Sequence, residues 1–140
     1  MEQKKTEPKI LIKTISLVDS SFHREAVQGP NFEDNLALDR EVQLTEDKKL
    51  GIVFLTAKLD RKNTQNNNIE VAISVKYVGI FEAESDSDMD LQRFCEINAV
   101  AMLYPYIRNH IQETFLKASV SQIILPPINI HTTFPENKSN

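Results

Sequence analysis

Three histidines, one cysteine and a run of alternating carboxylates are the side chains here whose types and spacing could do chemistry. The carboxylates come closest to a pattern. Glu82, Glu84, Asp86, Asp88 and Asp90 alternate, and Asp86-x-Asp88-x-Asp90 repeats the first three ligand positions of an EF-hand calcium loop. The match stops there, because Leu91 stands where the sharp turn needs glycine and Ile97 where the bidentate glutamate belongs. The run reads as a solvated acidic loop guarding the end of a sheet. His23, His110 and His131 lie far apart and lack a partner at metal-ligand spacing. His110 falls one turn after Tyr106 and one before Thr114, on the polar flank of a helix. Cys95 has only Arg93 and Glu96 nearby, without a base to take its proton, and reads as a small core residue.

Catalysis and cofactor binding therefore find no footing. The only glycines are Gly29, Gly51 and Gly79, so there is no glycine-rich loop for a phosphate and no nucleophile elbow. We expect no enzyme, no metal and no cofactor. A net charge of -4, with Lys and Arg dispersed, argues against a nucleic-acid partner, which needs a concentrated basic stripe. No apolar run approaches the roughly 20 residues that span a bilayer, and the N-terminus lacks the apolar centre of a signal peptide. With one cysteine there is no internal disulfide, and the expected location is cytoplasmic.

At 140 residues the chain is long enough for one core. The expected organisation is a flexible N-terminus over residues 1–8, a single domain over 9–130 and a polar tail over 131–140. Period-two alternation over Ile69 to Tyr77 puts Ile69, Val71, Ile73, Val75 and Tyr77 on one face, the pattern of a half-buried strand. Leu36 to Leu44 repeats it, with Arg40 as the one polar intrusion on the apolar face. Gly51 to Leu59 carries Val53, Leu55, Ala57 and Leu59 on one face and Ile52 and Phe54 on the other. Ile10 to Val18, rich in β-branched residues, completes four strands.

The links over 45–49 and 61–68 are short and polar, which predicts antiparallel hairpins. Residues 19–35 are read instead as a long crossover loop holding Phe22, Val27 and Phe32. Helical spacing begins only at Leu91, and Pro105 predicts that the helix either restarts or bends there. Ile107, Ile111, Phe115 and Ala118 form one stripe, to be buried against the sheet or a sister subunit. Strands first and helix last is the order of an α+β fold.

More apolar side chain remains than one core needs: the strand from Gly51, Phe22 and Phe32, the turn Val78 to Phe81, and Ile123 to Ile130. An oligomer interface accounts for part of it, and a groove for extended polypeptide is the functional alternative.

Asn98 to Ile111, with Leu103-Tyr-Pro-Tyr-Ile-Arg108 at its centre, resembles the signature helix of the SecB protein-export chaperones. Ile124-Leu-Pro-Pro-Ile-Asn-Ile130 is similar to the segment that follows that helix, Gly79-Ile-Phe81 to the end of the fourth strand, and Ile10 to Leu17 to the first strand. The resemblance implies a four-stranded antiparallel sheet with a crossover after the first strand and a proline-kinked C-terminal helix. It further implies a homotetramer, a dimer of dimers, that holds non-native polypeptides without ATP. By position Phe22, Phe32, Phe54, Phe81, Ile128 and Ile130 would line the peptide-binding groove. Tyr104, Ile107, Ile111 and Phe115 would form the oligomer interface.

Exporting members dock the translocation ATPase SecA through acidic residues on the sheet, where this chain has Thr14, Val18 and Ser74. They also carry a second C-terminal helix, for which residues 131–140 are too short and too polar. SecA therefore becomes a weakened expectation, and a client such as an antitoxin joins preproteins as an expected partner. An adaptor that grips one folded partner through the same apolar surface is the alternative.

Overall fold

The structure, a computed structural model, describes residues 10–84, 90–123, 125 and 127–134. Four strands come first: β1 (Ile10–Arg24), β2 (Phe32–Leu44), β3 (Leu50–Asn63) and β4 (Ile69–Ala83). Then follow α1 (Leu91–Lys117) and a single turn, α2 (Ile130–Thr133). The sheet order is β1-β4-β3-β2 and every pairing is antiparallel. The two short links do make hairpins, as their length requires.

All four strands outrun their predicted ends. The segment 19–35, expected as a loop, is mostly strand, and the crossover is only residues 25–31. Register shifts near Lys13 and Val18 break the alternation of β1, so its second half carries no clean period-two signal. The turn expected at Val78 to Phe81 is likewise strand, paired with Ser16 to Ile12 on one side and Phe54 to Gly51 on the other.

One face of the sheet carries the core. Val53, Leu55, Ala57 and Leu59 of β3 lie beside Val71, Ile73 and Val75 of β4, all buried. Against them packs α1, through Leu91, Cys95, Ala99, Val100, Leu103, Tyr104, Ile107, Ile111 and Phe115. This helix lies over β3 and β4 rather than the edge strands. It runs about 40 Å at 1.5 Å per residue, and Pro105 sits inside it without a restart.

Its ends are capped locally. Asp90 accepts the Arg93 N–H at the start, helped by the positive end of the helix dipole. At the other end Ser119 takes a left-handed φ of 55°. Val120 N–H reaches back to Phe115 O and Ser119 N–H to Leu116 O, the paired closure that normally favours glycine. Arg24, at the end of β1 and on its helix side, donates to the Ala118 carbonyl.

Ile52, Phe54, Val78 and Ile80 point to the opposite face, where no element of the described chain packs. Facing pairs Ile52–Ile80 and Phe54–Val78 make it locally apolar, and acidic Asp39 and Glu41 of β2 flank it.

Candidate functional site

The expected groove residues separate into three places. Phe22, on the helix side of β1, is half-buried with its ring 6.3 Å from that of Phe115. Phe32 opens β2 and is 38% exposed, lying on the guanidinium of Arg61 at 4.0 Å. Ile128 and Ile130 pack against the core from the segment after α1. These four share the helix side of the sheet.

Phe54 and Phe81 do not join them. Phe54 projects from the open face with the Lys76 ammonium 4.8 Å from its ring. Phe81 is wholly buried, edge-on to Phe94 at 5.5 Å. Its neighbours are core because β4 runs on to Ala83, so the phase of the strand carries Phe81 inward.

The interface assignment changes in the same way. Tyr104, Ile107, Ile111 and Phe115 are buried within the single chain, so of the two coverings expected for the stripe, sheet or sister subunit, the sheet supplies it. The helix instead offers Met102 and Leu116 outward, Leu116 at 72% exposure, while the partly exposed Tyr106 leans its ring on Tyr77 of β4 at 5.8 Å. Leu11, Ile12, Leu17 and Val18 are exposed along β1, an edge strand.

Two arginines on the core face of the sheet organise the region. Arg61 is the phase continuation of Val53, Leu55, Ala57 and Leu59, yet it is a cation at 2% exposure. Asp34 of β2 takes its Nε and Nη2 in a bidentate pair at 2.8 and 3.0 Å. Its Nη1 donates to the Ser121 carbonyl at 2.8 Å, and the Phe115 ring lies 5.3 Å away. A buried guanidinium is tolerable only with its donors satisfied and its charge matched, and both conditions hold.

Arg40 plays the corresponding part at the other end of α1. It donates to the Glu96 carbonyl and stacks on Phe134 at 4.7 Å. The apolar segment after the helix is thus held at its start by Arg61 and at its end by Arg40. Ile123, Leu125, Ile128 and Ile130 pack against the core between them. A small hollow of about 130 Å³ opens beside Arg40, lined by Asp90, Arg93, Glu96, Ile97, Ile130 and Phe134.

The crossover is pinned to the β3–β4 turn. Glu70, buried, accepts the Gly29 N–H at 3.0 Å and the Asn63 side-chain amide at 3.1 Å. Thr64 N–H reaches Asn31 O, and Glu25 N–H reaches Glu70 O. With its backbone held, the crossover leaves Val27 at 84% exposure over a hollow of about 650 Å³ lined in part by Ile69.

Among the described side chains, Cys95, His23 and His110 are each engaged structurally, and the side chain of His131 lies outside the described ones. Cys95 is a buried free thiol pushed up to about 11, first by burial and then by Glu96. His110 Nε2 pairs with the Ser20 hydroxyl at 2.8 Å and His23 with Glu25 at 3.2 Å. Among the described residues no three His, Cys, Asp or Glu side chains gather as a metal site. The carboxylates of 85–89 lie outside the described residues, and Asp90 is a helix cap.

A single-faced antiparallel sheet under one long helix, with an apolar segment returning beside it, defines the architectural class: an open-faced α+β sandwich of the SecB type. The family profile described as preprotein translocase subunit SecB matches residues 3–140, and the chain belongs to the SecB family.

An uncharacterised protein of Methanocaldococcus jannaschii is 32% identical over 99 residues, covering 69% of this chain and 62% of that protein. The match therefore spans less than two thirds of that relative's length. The protein-export protein SecB of Legionella pneumophila is 26% identical, covering 94% of this chain and 83% of its own. Among solved structures, the Rv1957 SecB-like chaperone of Mycobacterium tuberculosis, in complex with a ChAD peptide from the HigA1 antitoxin, shares the fold. It superposes with a TM-score of 0.73 at 16% identity, over 86% of this chain and 91% of that one.

Arg61 is the residue that sequence reading missed. By composition it belongs to the polar link over 61–68, although it keeps the period-two phase of the buried side of β3. That phase was the available signal.

Proposed function

We propose that this chain is an ATP-independent holdase chaperone that keeps non-native polypeptide extended against the helix side of its sheet. The client lies along Phe22, Phe32 and the Ile128–Ile130 segment, with Val27 of the crossover at its rim. The observation that carries the reading is Phe32, a large aromatic held half in solvent by a buried cation on a rigid strand. A rigid aromatic of this kind gives apolar contact without demanding a sequence. Family membership supports the class of function. Many weak contacts of this sort add up only along an extended chain, so an unfolded client is preferred to a native one.

The working form in this reading is a cytoplasmic homotetramer, a dimer of dimers. Met102 and Leu116 of the outer helix side and the exposed edge of β1 supply its contacts. The client is a preprotein or a single dedicated partner such as an antitoxin.

The test is suppression of aggregation. A chemically unfolded model protein diluted into buffer should aggregate more slowly with equimolar chain present, and Phe32→Ala should weaken the effect. Equal aggregation with and without the chain ends the proposal.

A further inference from the structure

Arg61 carries more than the fold requires. A core of this size could be closed at that position by Met or Leu, because replacing a buried ion pair with matched apolar groups is often neutral or stabilising. What an apolar residue cannot do is the combination seen here. Arg61 fills its fork with Asp34, reaches the Ser121 carbonyl with its remaining nitrogen, and offers its plane to Phe32.

These contacts fix two separate pieces of backbone relative to one charge. Asp34 and Phe32 lie two residues apart on β2 and point to the same side of the sheet. Ser121 stands two residues beyond the left-handed Ser119 that ends α1, where the chain turns back. The Phe115 ring, itself against Phe22, borders the same guanidinium.

We propose that Arg61 is the positioning residue of the client site, holding the Phe32 wall and the segment after α1 at a fixed separation. The proposal rests on the holdase reading above. Planarity and three-way hydrogen bonding are the properties used, so lysine, a point charge on a flexible stem, does not replace arginine. The chemical class of client contact follows: an aliphatic or aromatic side chain of an extended polypeptide, laid against the exposed part of the Phe32 ring.

The experiment compares the full-length chain with Arg61→Lys and with the paired replacement Arg61→Met plus Asp34→Leu, which leaves no unmatched buried charge. Two quantities are read: amide hydrogen exchange at residues 119–123 against residues 95–111 of α1, and affinity for an unfolded, aromatic-rich model peptide. In both variants exchange at 119–123 should quicken about tenfold while the helix interior stays protected. Peptide affinity should fall roughly five- to tenfold, and Phe32→Ala should cost far less in the paired background than in the native chain.

Unchanged exchange at 119–123 overturns the proposal, as does an undiminished cost of Phe32→Ala in the paired background. If the native chain binds no peptide yet the exchange responds, the holdase reading fails while the positioning of the segment stands. Should the paired variant not fold, the Arg61 Nε–H signal of the native chain decides by NMR. It should be slow to exchange and shift on peptide addition, and a signal that exchanges freely or ignores the peptide counts against the proposal.

Discussion

Gly51 of β3 lies directly beneath the thiol of Cys95 of α1, so close that a Cβ at Gly51 would stand 2.3 Å from Sγ. The same Cβ would meet Leu44 at 3.4 Å and Leu91 at 3.5 Å. Strand and helix touch here because one partner has no side chain and the other a small one.

Gly51→Ala should therefore destabilise the chain by about 1–3 kcal/mol, the range for overpacking a filled core. Cys95→Ala alone should cost about 1 kcal/mol through the space it vacates, yet it should be stabilising when added to Gly51→Ala. Urea denaturation of the four-protein cycle measures that change of sign, and simple additivity would show that the two sites do not share space.

The Cys95 thiol, pushed up to about 11 by burial, predicts a loss of stability in alkali. The unfolded thiol ionises near 9 and the folded one does not, so above pH 9 the unfolded state binds fewer protons and gains ground. The contribution is complete below pH 9 and gone as pH passes 11, on the order of 2 kcal/mol. Tyr77 and Tyr104, also raised first by burial, act in the same sense at higher pH. Denaturant midpoints from pH 8 to 11 should fall more steeply for the native chain than for Cys95→Ala.

Ser119 holds a left-handed conformation, at φ 55°, that glycine adopts without penalty. Ser119→Gly should raise stability by about 0.5–1 kcal/mol. A thermal melt that moves down instead would show that the side chain of Ser119 does more than tolerate the turn.

The inner and outer sides of α1 should respond in opposite ways. Ile111→Ala should cost about 2–5 kcal/mol, since Ile111 is fully buried against the sheet, and Ile111→Asp should abolish folding. Leu116→Asp, at an exposed position, should change stability by no more than about 0.5 kcal/mol while lowering the sedimentation coefficient toward a monomer. Far-UV circular dichroism and sedimentation velocity separate the two outcomes.

The alternation over Ile69 to Tyr77 and the two short links were enough to read antiparallel strands, and the Pro105 helix with the segment after it was enough to read the family. What escaped was wherever phase outlasted composition. Arg61 and Asn63 continue the inward side of β3 with polar residues, Ser20 and His23 continue β1 past two register shifts, and Phe81 continues β4 past a glycine. The inward turn of Phe81 and the outward turn of Phe54 follow from strand parity, once the strand ends are known. The Arg61–Asp34 and Arg40–Glu96 ties join residues distant in sequence, and no local pattern announces such partners.

The order of the sheet also sets a timetable. β1 is synthesised first, but Ile10 must wait for Ala83 and Arg24 for Val71 before either has a neighbour, whereas β2, β3 and β4 close as successive hairpins. Non-local pairing of this kind forms late, after its loop has been closed. Until Ala83 has left the ribosome, Ile10 to Leu17 is an unpaired apolar strand, and the newborn chain is for that interval itself the kind of polypeptide a holdase would seize.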